Sequence, residues 1–340
     1  MRNQKKIIIL IGIVLVIFSL LIIVKRTKDE ECIVSIDYPI DTELIIVDNN
    51  EKMFDNNSSG LDIFKSKLYC ISNSGIFWVM DLSEDPRFIS YSDGFDSNGK
   101  KIMIKDDNGN TYIPDTEGIT VDKNGTIYAV SERLSPDINL NTIVQFDAWT
   151  NNDTVIVERI WNLNPYLPKV KVNNGLEGIE WVSFDDVDGK LYDENKGQIF
   201  NHNDYENAMS EGVFFVALEE NGHIYAFVLN DNNTVELVSD IDSKLCHAMS
   251  LDYDTNNNVL WAKADNNCKN KHSNIQFNGT STPNITVISA PSEMNEEGNY
   301  EGFAISDVSY TKEGKRPVYH FLDGKETRTL VLCYITSEYD

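Results

Sequence analysis

The stretch DTEGITVDKNGTIYAVSER, Asp115–Arg133, decides how this chain is read. Asn124-Gly125 between two alternating apolar runs is the strongest short hairpin signal, a two-residue loop of the type I′ kind. In a hairpin closed that way, cross-strand partners have numbers that sum to 249, so Val121 faces Tyr128 and Glu117 faces Glu132. Like charges directly opposite on a sheet destabilise it, so a compensating partner is expected.

The stretch recurs. SSGLDIFKSKLYCISN begins at Ser58, GLEGIEWVSF at Gly175, AMSLDYDTNNNVLWAKAD at Ala248 and YEGFAISDVSYTKEGKRPVYHFLD at Tyr300. The aligned positions Gly60, Gly118, Gly178, Ser250 and Gly302 lie 58, 60, 72 and 52 residues apart, the length of one four-stranded unit with its loops. Beyond residue 31 no run has helical periodicity, and turn pairs such as Asn98-Gly99 and Asn221-Gly222 punctuate short β-rich segments. The expected fold is all-β, a β-propeller. Six blades are favoured over five: IVSIDYPI or ELIIVD near the N-terminus would pair with TRTLVLCYITS near the C-terminus to close the ring. The third copy carries a polar insertion at roughly Asp185–Glu211, either one wall of a binding mouth or a disordered surface loop.

Ahead of this body, Ile7–Val24 reads IIILIGIVLVIFSLLIIV, about the minimum for a membrane-spanning helix. Basic residues flank it and no A-x-A-like cleavage site follows, so it reads as an uncleaved signal anchor. The expected organisation is a short tail (1–6), the anchor (7–24), a linker (25–31) and the propeller (32–340), with the propeller on the extracytoplasmic side. N-x-S/T acceptors at Asn56, Asn57, Asn124, Asn152, Asn232, Asn278 and Asn284 agree with that placement. The five cysteines are an odd number. Cys246 and Cys268 bracket a hairpin and are either a disulfide or two small apolar residues at strand ends.

Charge narrows the partners. With 54 acids against 29 bases the net charge is -25, which repels nucleic acid and attracts cations. The acids recur at two places in the repeat. Just before the glycine stand Ser59, Glu117, Glu177, Met249 and Glu301; at the end of the next strand stand Asn73, Glu132, Glu219, Asp265 and Asp323. In a propeller both sets converge on one mouth of the central channel. Carboxylates held together need a partner or raised pKa values, and the fitting partner is a hard, oxygen-loving cation, Ca²⁺. Zinc is a poorer fit, because its close-spaced Cys and His ligands are missing. Two alternatives need no metal: Arg133 neutralises the pair locally, or the acids stand solvated in a wet channel. His247 falls near the same ring and is either a proton carrier or an ordinary buried histidine; Lys263 and Arg133 are the nearby bases that would hold an anionic substrate. The serine-hydrolase elbow, phosphate loop and dinucleotide fingerprint are all absent, which leaves a metal-activated water as the economical enzyme mechanism.

DTEGITVDKNGTIYAVSER, NNGLEGIEW and NYEGFAI resemble the phytase-like propellers described as having esterase-like activity, and the related SdiA-regulated propellers share the opening SSGLDIFKSKLYCIS. The resemblance runs from about Ser58 to Asp323. It implies a phosphoester hydrolase whose acidic metal-binding residues fall on Glu117, Glu132, Glu177, Glu219 and Glu301. A fainter similarity, through YEG, is to the calcium-activated apyrase propellers. The expectation is therefore a membrane-anchored propeller that hydrolyses a small phosphoester with Ca²⁺. Glu117, Glu177, Glu301, Asp265 and Asp323 would be ligands, Glu132, Glu219 and His247 catalytic, and Arg133 and Lys263 substrate-binding. The competing class is a non-enzymatic propeller whose rim binds a protein or glycan.

Overall fold

The computed structural model describes residues 35–39, 43–48, 51–106, 108–135 and 138–336. The proposed anchor Ile7–Val24, its flanks and Cys32 lie outside the described residues, among which no helix is long and apolar enough to cross a membrane.

Each copy of the repeat opens a sheet. The first blade is Ser58–Phe64, Lys67–Ser72, Ile76–Leu82, Lys100–Lys105 and Thr154–Ile156, with Ile89–Tyr91 and Thr111–Tyr112 added at its edge. The second is Asp115–Val121, Ile127–Ser135, Ile138–Phe146 and Arg159–Asn162. The third is Leu176–Ser183, Gly212–Leu218, His223–Leu229 and Val235–Asp242, and the fourth is Ser250–Asp254, Val259–Lys263, His272–Gln276 and Asn284–Ile288. Tyr300–Ile305, Lys315–Leu322, Leu330–Thr336 and Ile45–Ile46 complete the fifth.

The repeated glycines explain why these sheets close into a ring. A Cβ on Gly60 would stand 2.5 Å from the Glu117 carbonyl oxygen, on Gly118 2.8 Å from that of Glu177, and on Gly178 2.9 Å from that of Met249. On Gly302 it would stand 2.5 Å from the carbonyl of Ser59, which brings the fifth inner strand back to the first. Neighbouring inner strands thus touch backbone to backbone, which only a residue without a side chain permits. Gly118→Ala is expected to cost about 2 kcal/mol through overpacking, read as a lower urea midpoint; an unchanged midpoint would refute this account of the ring.

Six blades are not what forms. The segment ELIIVD does meet TRTLVLCYITS, Ile45 pairing with Leu332 and Ile46 with Val331. Both complete the fifth sheet, however, so the described residues make five blades, and the first and last parts of the chain share one of them. The third-copy insertion is ordered: Phe184, Val187, Leu191, Phe200 and Tyr205 are buried in the core it shares with the third and fourth blades. It joins Ser183 to Gly212, at the end of the hairpin opposite Glu177 and Glu219, and so forms no wall of the acidic mouth.

The opening hairpin also differs from its expected register. Type I′ needs φ > 0 at both central residues, but only Gly125 has it, at φ 88°. Asp122 N–H donates to Thr126 O (3.0 Å) and Gly125 N–H to Asp122 O (2.9 Å), so the loop has three residues. Partners near it, Thr120 with Tyr128 and Val121 with Ile127, sum to 248 instead of 249.

The core packs between blades. Trp78, Trp161 and Trp261 are among its largest fully buried side chains. One buried group sits poorly. His272 is fully buried among Tyr38, Phe303 and His320, with ring centroids 5.5, 5.2 and 5.8 Å away, and among the described residues neither ring nitrogen has a partner. Burial pushes its pKa well below the usual histidine range. An unsatisfied buried polar group costs stability, so His272→Phe should raise the unfolding free energy by about 1 kcal/mol. A drop in the denaturation midpoint instead would mean the imidazole makes a contact worth keeping.

Candidate functional site

The two recurring glutamates of the opening hairpin reach the channel through bulges. Between the pairs Thr116/Ser131 and Ile119/Ala129 the inner strand carries one extra residue, at Glu117-Gly118. Between Asp115/Arg133 and Thr116/Ser131 the second strand carries one extra, Glu132. The glutamates therefore do not face each other across the ladder; each occupies a bulge, which re-aims a side chain. The same irregularity brackets Ser59-Gly60, Glu177 and Glu301. In the fourth blade Met249 N–H donates to Lys263 O, whose residue pairs with Ser250, and Met249 takes the equivalent place.

The result is a cavity of about 340 Å³ at one mouth of the channel. Glu117, Glu132, Glu177, Glu219, Asp265 and Glu301 line it together with Arg133 and Met249, and Asn73, Asn173, Asn266, Asn267 and Asn299 add amides. Asp115, which the repeat did not single out, belongs to the same group. Its carboxylate oxygen and those of Glu117 and Glu132 lie within 4.8 Å of one another. Its only signal in the sequence is its place two residues before Glu117.

These acids differ in what they touch. Glu117 accepts from Ser59 Oγ (2.8 Å), and Glu132 from Gly175 N–H (3.1 Å) while pairing with Arg133 Nη2 (3.0 Å). Glu301 Oε1 accepts from Asn299 Nδ2 (2.8 Å), but its buried Oε2 has no partner among the described residues. Glu177 is 7% exposed, and its carboxylate makes no hydrogen bond or ion pair among the described residues. Burial, followed by the charges of its neighbours, pushes Glu117 and Glu177 well above the usual carboxylate range. It takes Glu301 to about 8, aided by the Asp323 charge, and Glu132 to about 7 against the pull of Arg133.

His247 stands between two of the acids, its Nδ1 3.3 Å from Asp265 Oδ2 and 3.5 Å from Glu219 Oε1. A disulfide between Cys246 and Cys268 anchors it, with Cα atoms 5.9 Å apart, and His247 N–H rests on Cys268 Sγ at 3.1 Å. Arg133 answers the opening question of compensation. Its guanidinium binds Asp115 (Nε to Oδ2, 2.6 Å), Glu132 and Asn173 Oδ1 (2.6 Å).

Two expected members stand apart. Lys263 is fully buried outside the cavity lining, its ammonium donating to the carbonyls of Ala264 (2.9 Å) and Tyr300. Burial lowers it to about 7. It fastens the strand that carries Glu301 and is not placed to hold a substrate. Asp323 sits behind Glu301, accepting from Asn299 Nδ2 at 3.4 Å, and is no part of the lining either.

A second tier lies two residues further along the first four inner strands, unremarked in the sequence. Asp62 Oδ2 accepts from Val121 N–H (2.7 Å), Thr120 Oγ1 from Trp181 N–H (3.0 Å), Glu180 Oε1 from Tyr253 N–H (3.3 Å) and Asp252 Oδ2 from Ile305 N–H (2.9 Å). An inner strand is a sheet edge, and its outward N–H groups need acceptors. Each of the first four blades supplies one to the next; the fifth, with Ala304 at that place, supplies none. The buried acids of this tier thus have structural work, which the mouth acid Glu177 lacks.

No family model matches the chain, and no curated protein does. Among solved structures it is similar to the glutaminyl cyclase of Myxococcus xanthus, at 12% identity and a TM-score of 0.42, over 88% of this chain and 97% of that one. It is also similar to a chain of the mitotic checkpoint complex, at 12% identity and a TM-score of 0.37, over 81% of this chain and 61% of that one. At these scores neither likeness bears on chemistry, and the propeller stands on its strand pairing.

Proposed function

We propose that the acidic mouth binds a hard divalent cation of the Ca²⁺ class and, with it, hydrolyses a small phosphoester. The observation that carries this reading is Glu177: a buried carboxylate that lines the cavity and has no partner among the described residues. A buried charge persists only if paired, and an all-oxygen set of carboxylates and amides is the donor chemistry that Ca²⁺ takes. Glu117, Glu177 and Glu301 would hold it. Bound there, the cation would supply positive charge to a phosphoryl oxygen and acidify water. Glu219, beside His247, is placed to accept a proton, and His247, held between Glu219 and Asp265, to carry it onward. Arg133 would orient an anionic substrate at the rim.

The test is hydrolysis of para-nitrophenyl phosphate by the full chain in Ca²⁺ and in chelator. Glu177→Gln should lower turnover by about a hundredfold or more on a normally folded chain. Turnover indifferent to both chelator and the substitution would refute the reading. One observation favours the non-enzymatic alternative: Arg133, the one cation in the lining, is already engaged by Asp115, Glu132 and Asn173. That alternative predicts cation binding without turnover.

A further inference from the structure

A second site lies on the outer rim, where the chain leaves Phe146 in the second blade, lends Thr154–Ile156 to the outer edge of the first, and returns at Arg159. Trp149 stands on this crossing and is 48% exposed. The loop is held with unusual force for a surface segment. Lys100, only 4% exposed, donates from Nζ to the carbonyls on both sides of Trp149, Ala148 O at 2.9 Å and Thr150 O at 2.6 Å. The same ammonium sits 4.7 Å above the ring of Phe95, which meets the indole edge-on at 6.1 Å. A buried ammonium is costly to desolvate, and here its hydrogen bonds fix an exposed tryptophan.

Beside the indole is a pocket of about 280 Å³, lined also by Asp93, Thr150, Asn151, Asn152 and Asp153. Thr150 Oγ1 is buried without a partner among the described residues. The pocket stands near the lower end of the roughly 300–1,000 Å³ usual for small-molecule sites. Charge selects the occupant. Lys67 Nζ lies 5.5 Å over the Trp149 ring and Lys100 lines the pocket, which disfavours a cationic guest on the aromatic pair. Asp93 and Asp153, on a chain of net charge -25, disfavour an anion. What remains is a neutral group with an apolar face and a polar edge: the face to stack on the indole, the edge to exchange hydrogen bonds with amides and carboxylates.

We propose that the Trp149 pocket binds a neutral saccharide ring. The site is independent of the channel and stands whichever reading of the acidic mouth holds. Its test uses the full chain made without glycosylation, because Asn152 itself heads an N-x-T triplet. Saturation-transfer NMR and calorimetry are run with cellotriose, maltotriose and chitotriose, and with glucose 6-phosphate and trimethyllysine as charged controls. At least one neutral trisaccharide should bind, and Trp149→Ala should weaken it about tenfold or more through loss of stacking. Asn151→Ala should weaken it less, while Glu177→Gln in the channel should leave it unchanged. Circular dichroism checks that each variant keeps its fold. Binding of none of the three trisaccharides, preference for a charged control, or undiminished binding by the Trp149 variant would each overturn the proposal.

Discussion

Calcium added to the full chain is expected to raise its thermal unfolding midpoint saturably, and magnesium to do so far less. A ligand at a thousand times its dissociation constant adds about 4 kcal/mol to the folded state, which for a body of this size is a shift of roughly 6 °C. Ca²⁺ tolerates an irregular cage of carboxylates and amides, whereas Mg²⁺ demands near-octahedral geometry and keeps its waters. The bulges deliver Glu117, Glu177 and Glu301 from three different blades, an arrangement suited to the more flexible ion. Glu177→Gln should abolish most of the shift while leaving the midpoint in chelator equal or higher, because the amide removes an acid that burial holds protonated and that the unfolded chain ionises freely. Absence of any shift up to millimolar calcium would remove the cation from the mouth altogether.

The second large effect is the response to pH without metal. Glu301, pushed up to about 8, and Glu132, to about 7, keep protons that the unfolded chain gives up near 4.5. Across that window the folded state binds more protons than the unfolded one, so stability falls as pH rises. The contribution is fully present below about pH 4.5 and is lost as pH rises through about 7 to 8, with a swing on the order of several kcal/mol. Glu301→Gln mimics the protonated acid and should make the decline measurably shallower, the rest coming from its raised neighbours. A bound cation favours the ionised carboxylates, so the gap between calcium and chelator curves should widen with pH. A chelator curve with the same slope in Glu301→Gln as in the parent would show that Glu301 ionises normally.

The blade repeat was legible because four of its five aligned positions are glycines that answer to a backbone constraint, and the recurrence of acids beside them marked the right mouth. Register was not legible. Asn-Gly suits a two-residue loop, yet Asp122 closes a three-residue one through its own N–H, and bulges then shift Glu117 and Glu132 in opposite strands. A one-residue slip reverses which side of a strand a residue occupies. Lys263 was misread for a related reason: position near a strand end says nothing about whether the side chain turns toward the channel or between blades. The closing strand was found but counted as a separate blade, because sequence proximity to the termini gives no hint that both ends serve one sheet. Asp115 and the tier of Asp62, Thr120, Glu180 and Asp252 went unseen, although an offset of two from four of the five aligned positions was available.

The pairing of Ile45–Ile46 with Leu332 and Val331 has a mechanical meaning. The strands are antiparallel, so the chain upstream of Ile45 and the chain beyond Thr336 depart from the same end of that ladder. Tension between two handles placed there would peel the rungs one at a time, as a zip opens, instead of loading them together in shear. In a pulling experiment the single bridge of Ile36 to Ile288 and then this clasp should give way at low force, leaving the other four blades stacked. A lone high-force rupture would mean that the ring fails as one piece.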